Sequence, residues 1–204
     1  VSNSFKGTFD GDGHTISGLK IVNISKNLQN VGLFGVLDGA VVKNLVIEDA
    51  RVYGYNHVGI LAGQIKGESV ITDVTVEGTA AANTSSGGYA SDAAVGGLAG
   101  KIFGSSSGSR ATIENVTATV NTVNLGATSK TGGIAGEVSN AYIVDTSVSA
   151  TGNNILGRYY VGGIVGAMSS GTSLYNVSVD GTIGGNGAYA VGGITGYYEG
   201  GEIV

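Results

Sequence analysis

The stretch Val95-Gly96-Gly97-Leu98-Ala99-Gly100 decides the fold of this chain, because the sequence repeats it along most of its length. The first glycines of successive copies are separated by 27, 37, 36, 30 and 30 residues. A repeat of this length predicts stacked structural units, each of which packs only on its neighbours. The related hexapeptides start at Val58, Thr131, Val161 and Val191, and a shortened copy starts at Val31.

A second motif, which reads apolar-x-Asn/Asp-x-x-apolar, follows each of the first five glycine-rich copies. The residues after its Asn or Asp alternate in the manner of a half-buried strand, as in Val74-Thr75-Val76. One slot accepts Asn and Asp interchangeably, which indicates an Asx turn or a ladder of side chains rather than an acid catalyst. This slot holds Asn44, Asp73, Asn115, Asp145 and Asn176.

Together the two motifs predict an all-β fold, a right-handed parallel β-helix (β-solenoid) of about six irregular coils. A single coil is too short to bury its own core, so coils must stack about 4.8 Å apart and pair their backbones. Connections between parallel strands are right-handed in most sheets. A β-propeller is the main rival, but its blades usually need more residues than these spacings give. A helical solenoid is disfavoured by the 38 glycines and by the period of two.

The chain divides into an N-terminal first coil, residues 1–30, and a run of repeats, residues 31–204. Asp10-Gly11-Asp12-Gly13 predicts a tight turn between two short strands of the first coil. Glu202-Ile203-Val204 matches the start of the second motif. We therefore expect the natural chain to continue with further repeats or domains beyond this fragment.

The composition argues against several classes of function. Charged residues make up 12% of the chain, the formal net charge is −5, and no cluster of Lys or Arg provides the electrostatic footprint of a nucleic-acid-binding protein. No apolar segment is long enough to insert into a membrane. Because the chain has no cysteine, it has no disulfide, no thiol nucleophile and no Cys-based metal site.

We expect no metal, no cofactor and no catalytic residue, so that the chain is not an enzyme. His14 and His57 are the two histidines, and neither has a partner histidine at zinc-ligand spacing; both are interpreted as turn residues. The Asp10-Gly11-Asp12-Gly13 stretch fails the spacing of an EF-hand loop. The acids are mostly single, whereas glycoside hydrolysis needs a facing pair.

Tyrosines are the candidate binding residues. Four of the ten lie just before glycine-rich motifs, namely Tyr55, Tyr159, Tyr160 and Tyr189. Tyrosine presents a flat contact area at a low entropic cost and is enriched in interfaces, so these side chains would line one edge of the solenoid and hold a glycan or a protein. The alternative is structural, with the rings capping a corner of the coils and stacking on one another.

The glycine-rich copies resemble the bacterial GLUG repeat, and the segment from Phe5 to Ile21 looks like the stretch that precedes such repeats in large surface proteins. The resemblance covers essentially the whole chain and implies an extracellular bacterial protein, secreted or anchored at the cell surface. Adhesins are one setting of the family, and streptococcal zinc metallopeptidases that cleave immunoglobulin A are another. Those peptidases carry a His-Glu-x-x-His motif in a separate domain. This chain lacks the motif, so no catalytic residue carries over.

Three hypotheses of function follow, in order of preference. The first is a non-catalytic adhesion or binding module, or a spacer, of a cell-surface or secreted protein, with a host protein or glycan as its partner. The second is an accessory region that positions substrate for a zinc metallopeptidase domain outside this chain. The third is a β-helix enzyme that acts on glycans, which would need a pair of facing carboxylates.

Overall fold

The computed structural model describes residues 4–23, 29–82, 92–106, 108–185 and 187–204, and all regular structure among them is β-strand. Strands rather than helices form because β-branched residues alternate with small polar ones, which suits a pleated, half-buried surface. The strands, in chain order, are β1 Thr8–Asp10, β2 Thr15–Ser17, β3 Lys20–Val22, β4 Asn30–Val31, β5 Phe34–Asp38, β6 Val41–Gly54, β7 His57–Val58, β8 Ala62–Lys66, β9 Val70–Ala82, β10 Ala94–Gly96, β11 Ala99–Phe103, β12 Ala111–Asn124, β13 Lys130–Gly132, β14 Ala135–Ser139, β15 Ala141–Gly157, β16 Tyr160–Gly162, β17 Val165–Met168, β18 Ser173–Gly184, β19 Ala190–Gly192, β20 Thr195–Tyr198 and β21 Glu202–Ile203.

The strands form three parallel sheets that run along the stack. Sheet 1 has the order β1-β6-β9-β12-β15-β18-β21, with β2 and β3 also paired to β6. Sheet 2 has the order β4-β7-β10-β13-β16-β19, and sheet 3 the order β5-β8-β11-β14-β17-β20. Each coil passes through sheets 1, 2 and 3 in turn. The described residues therefore form six coils, and β21 continues sheet 1 beyond the sixth. This confirms the β-solenoid, while its right-handedness stays a prediction.

The backbone register places the repeats of the sequence side by side. Gly96 pairs with Gly132, Gly132 with Gly162, and Gly162 with Gly192. The spacing of the glycine-rich copies is thus the length of one coil. It varies because the segments between the paired strands differ in length, while the paired strands keep their register.

Each glycine-rich motif forms a sharp bend between sheets 2 and 3 rather than one continuous strand. In the third coil β10 ends at Gly96, Gly97 and Leu98 lie in the bend, and β11 begins at Ala99. A Cβ on Gly97 would lie 2.7 Å from Cγ1 of Val120 and closer still to the carbonyl oxygen of the next coil's second glycine. Glycine is required here because neighbouring backbones and a facing valine fill the space where a side chain would go.

Ladders of aliphatic side chains fill the interior. The apolar residue after each pair of glycines is fully buried at Leu98, Ile134 and Ile164, and half-buried at Ile194. The apolar residue that begins each copy of the Asn/Asp motif forms a second ladder, in sheet 1. Burying one such side chain contributes about 1.5–3 kcal/mol relative to leaving it exposed. The fully buried members of the second ladder are Val42, Ile71, Ile113, Ile143 and Leu174.

The Asn/Asp slot lies at a left-handed backbone position within each long strand of sheet 1. Asn and Asp tolerate this conformation better than other non-glycine residues. Asn115 Nδ2 donates a hydrogen bond to Oδ1 of Asp73 at 2.5 Å, and Asn176 Nδ2 donates to Oδ1 of Asp145 at 2.6 Å. These two bonds confirm the ladder interpretation of the slot, whereas the Asx turn stays a prediction. The φ angles are 52°, 55°, 51°, 48° and 50° at Asn44, Asp73, Asn115, Asp145 and Asn176.

The first coil differs from the others because its long strand is broken into β1, β2 and β3, all parallel to β6. The predicted turn after Asp10 is present, with Asp12 at φ 49° and Gly13 at φ 73°. It separates two strands that follow one another along the same partner, so it does not make a hairpin. His14 lies in this turn, as expected, and its Nδ1 is 3.0 Å from the carbonyl oxygen of Gly11.

Candidate binding site

Four tyrosines of the fifth and sixth coils pack against one another. The ring centroids of Tyr159 and Tyr189 are 5.0 Å apart with an interplanar angle of 20°, and those of Tyr160 and Tyr197 are 4.5 Å apart at 16°. Tyr159 and Tyr160 approach to 4.4 Å, which joins the two stacked pairs. Aromatic pairs of this kind contribute about 0.5–1.5 kcal/mol beyond their burial. We call these four residues the tyrosine cluster.

The cluster contains three of the four tyrosines predicted from the sequence. Tyr55 is not among them, because it precedes β7 in the second coil, where it is half-buried and packs against the apolar core. Tyr197 is the member that sequence reasoning missed. It follows the glycine-rich motif, and only the bend brings it back beside residues that precede the motif.

The bend places residues seven apart in the chain next to each other, and this spacing is the signal that could have found Tyr197. Lys130 and Glu137 are such a pair, with Nζ and Oε2 2.8 Å apart. In the register between neighbouring coils, Lys130 pairs with Tyr160. Glu137 pairs with Ala167, which in turn pairs with Tyr197. Tyr160 and Tyr197 therefore belong to facing positions of neighbouring coils, which lets their rings stack.

The tyrosine cluster is partly exposed. Tyr189 is 73% exposed and Tyr197 is 38% exposed, whereas Tyr159 and Tyr160 are half-buried. The stacked rings hold one another in place and leave Tyr189 accessible to a partner. The rings therefore stack on one another, as the structural alternative expects, and part of their surface is exposed.

A partly buried ion cluster adjoins the tyrosines along the same edge. Lys130 Nζ lies 2.6 Å from Oδ1 of Asp92, and Lys101 Nζ lies 3.0 Å from Oε2 of Glu137. Burial by itself would lower the pKa of Lys130, but hydrogen bonds to Asp92 and Glu137 outweigh it and raise that pKa. Burial likewise opposes ionisation of Asp92, and the bond from Lys130 reverses this, so the pKa of Asp92 is lowered. Both groups stay charged at neutral pH.

His57 is a buried strand residue rather than the turn residue that the sequence suggested. Its Nδ1 lies 2.9 Å from Oδ1 of Asn30 and 3.0 Å from Nε2 of Gln64, one in the coil before and one across the bend. Burial, followed by the charge of Lys101, lowers the pKa of His57 to about 4. The imidazole is therefore neutral at pH 7 and acts as a hydrogen-bonding side chain between coils.

In the part of the chain that the structure describes, no group of three or more His, Cys, Asp or Glu side chains could hold a metal ion. Among the same residues no helix is long and apolar enough to cross a membrane.

Comparisons with known proteins agree with the repeat reading. The model of the GLUG motif matches residues 91–124, which hold β10, β11 and β12. Halomucin from Haloquadratum walsbyi is 44% identical over 86 residues, which are 42% of this chain and 1% of halomucin. The crystal structure of a Bacteroides ovatus protein proposed to be an immunoglobulin A1 protease matches with a TM-score of 0.53 and 22% identity. That match covers 96% of this chain and 48% of the other, and at this identity it shows the fold alone.

Proposed function

We propose that this chain is a non-catalytic repeat segment of an extracellular bacterial protein, secreted or held at the cell surface, that binds a host protein or glycan through the tyrosine cluster. The observation that carries the proposal is the packing of two stacked pairs of tyrosines against each other, with Tyr189 exposed at the edge of the cluster. The GLUG match and the similarity to halomucin support the extracellular setting.

The cluster suits binding because its rings are already ordered. A side chain that is fixed before binding loses little entropy when a partner arrives, and tyrosine is among the residues that dominate binding energy in interfaces. The coils beneath it form a continuous ladder, so the solenoid also serves as a stiff spacer that holds the cluster away from its neighbours in the parent protein.

The test is binding of the chain to immobilised host-matrix proteins and to a panel of glycans, compared between wild type, Tyr189→Ala and Tyr198→Ala. Tyr198 is 53% exposed in the same coil and lies outside the cluster, so it is a matched control. We expect at least a tenfold loss of affinity for Tyr189→Ala, since tenfold corresponds to about 1.4 kcal/mol, and no loss for the control. Equal losses in both variants, or no ligand in either panel, would contradict the proposal.

A second candidate is an accessory region that positions substrate for a peptidase domain elsewhere in a longer chain. The Bacteroides ovatus structure motivates it, because this chain spans about half of that protein. Immunoglobulin A1 is then the partner to test first. Binding of immunoglobulin A1 that is lost in Tyr189→Ala would favour the accessory role, and binding confined to matrix proteins or glycans would favour adhesion.

A further inference from the structure

The outer face of sheet 1 carries two exposed tyrosines that lie away from the tyrosine cluster. Tyr142 is 42% exposed and Tyr175 is 54% exposed, and together they line a depression of about 420 Å³. The guanidinium carbon of Arg110 lies 4.4 Å from the ring centroid of Tyr142, which holds that ring in place. Accessible aromatic rings on a rigid sheet provide platforms on which an apolar face of a ligand can stack.

A polar groove of about 680 Å³ lies next to these tyrosines. It follows the Asn/Asp slot over the third to sixth coils, so its axis is that of the stack. Tyr175 lies beside the groove rather than in its lining, and it shares a register line with the wall residues Glu114 and Thr72. The lining residues are Thr72, Asp73, Glu114, Asn115, Asp145, Thr146, Ser147, Asn176 and Ser178.

The groove floor is ordered before any ligand binds. The amide of Asn115 is hydrogen-bonded to Asp73 and the amide of Asn176 to Asp145, so each carboxylate is held by the coil above it. An ionised carboxylate can accept about four hydrogen bonds, and the floor pairs use part of that capacity. The remaining acceptor positions are available to donors of a ligand, beside the hydroxyls of the walls.

The charge of this face favours a cationic ligand. Asp73, Glu114 and Asp145 line the groove, and Glu202 lines the depression between the tyrosines. Among the described lining residues of the groove and the depression there is no Lys or Arg, and Arg110 is the cation that stands beside the depression, over the ring of Tyr142. Surfaces that present one sign of charge attract ligands of the other sign and repel those of the same sign.

The spacing of the coils fits a sugar chain better than a peptide. Coils repeat about every 4.8 Å, whereas an extended peptide advances about 3.3 Å per residue, so a peptide falls out of register with the groove. A β-1,4-linked chain of pyranoses advances by close to one coil spacing per sugar and presents equivalent groups on every second sugar. The floor has the same two-coil period, because Asp73 and Asp145 alternate with Asn115 and Asn176.

We propose that the outer face of sheet 1 binds a β-1,4-linked glycan that contains glucosamine with free amines. The pyranose faces stack on Tyr142 and Tyr175, and the ammonium groups of alternate sugars pair with Asp73 and Asp145. This site is separate from the tyrosine cluster, so its success or failure does not depend on the function proposed above.

The test is calorimetric titration of the chain with the β-1,4 glucosamine hexamer at mildly acidic pH, where its amines are protonated. The comparison probes are the fully N-acetylated hexamer, cellohexaose and hexalysine. We expect the glucosamine hexamer to bind at least tenfold more tightly than each of the other three, with an affinity that falls as salt is added. Equal binding of hexalysine would overturn the proposal in favour of a general cation surface, and equal binding of the acetylated hexamer would overturn the role of the carboxylates.

The variants separate the two kinds of contact. The double variant Asp73→Asn, Asp145→Asn keeps residues that tolerate the left-handed backbone and that accept the floor hydrogen bonds, so it should fold, and we expect at least a tenfold loss of affinity. Tyr175→Ala changes an exposed side chain and should cause a comparable loss. Asp49→Asn, at another exposed left-handed position of sheet 1 outside the groove, should bind as the wild type does. Unchanged affinity in both the double variant and Tyr175→Ala, with folding verified by circular dichroism, would refute the site.

Discussion

Replacing Gly97 by alanine should destabilise the solenoid by about 2–3 kcal/mol, although its φ lies outside the left-handed region that favours glycine. The new methyl carbon would lie 2.7 Å from Cγ1 of Val120 and nearer still to the carbonyl oxygen of Gly133. That oxygen cannot simply move away, because it accepts the N–H of Gly97 at 2.9 Å and so joins the third coil to the fourth. Overpacking costs about 1–3 kcal/mol and a stretched hydrogen bond about 1 kcal/mol, while the stiffer unfolded chain offsets about 0.4–1 kcal/mol.

Gly193→Ala is the matched control for this prediction. Gly193 occupies the same motif position in the sixth coil, its φ is also outside the left-handed region, and no atom lies within 4 Å of a Cβ built there. The control should therefore be neutral or stabilising by up to about 1 kcal/mol, through the unfolded state alone. Urea and thermal unfolding followed by circular dichroism measure both, and Tm shifts by about 2–4 °C per kcal/mol in a chain of this size. If both variants behaved alike, contact between coils would not be the reason for the glycines.

Three further predictions concern the polar ladder and the buried histidine. Asn115→Asp should destabilise the fold by about 1–2 kcal/mol at pH 7, because a second carboxylate replaces the donor to Asp73. Urea titrations should show that this stability returns below about pH 4, as a carboxylate protonates. A loss that persists at low pH would indicate a packing defect instead. The hydrogen bond from Asn44 is the largest cause of the lowered pKa of Asp10, which is about 2 instead of the usual 3.8. Asn44→Ala should therefore raise the pKa of Asp10 in an NMR titration. It should also remove the stability that this carboxylate contributes above pH 4 and loses toward pH 2. Burial lowers the pKa of His57 to about 4, so the unfolded chain takes up a proton before the folded one as the pH falls. The free energy of unfolding should therefore decrease by about 3 kcal/mol between pH 6.5 and pH 4. His57→Gln should flatten this pH dependence, measured by thermal melts.

The sequence by itself determined the class of fold and the unit of repetition. A parallel stack pairs each residue with its copy one coil away, so identical motifs must recur at the length of a coil, as Gly96 and Gly132 do. It also indicated a structural role for the Asn/Asp slot, because a position that accepts either residue favours an Asx turn or a side-chain ladder over acid catalysis, whereas the left-handed backbone at this slot was seen only in the structure. These features are local or recur along the chain, and such features can be read from one sequence.

Only the tertiary structure decided which residues meet. The bend at the glycine-rich motif brings Tyr197 to Tyr160 and leaves Tyr55 three coils away, and it buries His57 against Gln64 in the same manner. The polar groove and its neighbouring Tyr175 likewise combine residues that lie about one coil apart in the chain. The coils differ in length, and the turning angle of the bend depends on how neighbouring backbones pack. Contacts across the bend and between coils therefore follow from the packed stack rather than from the order of residues.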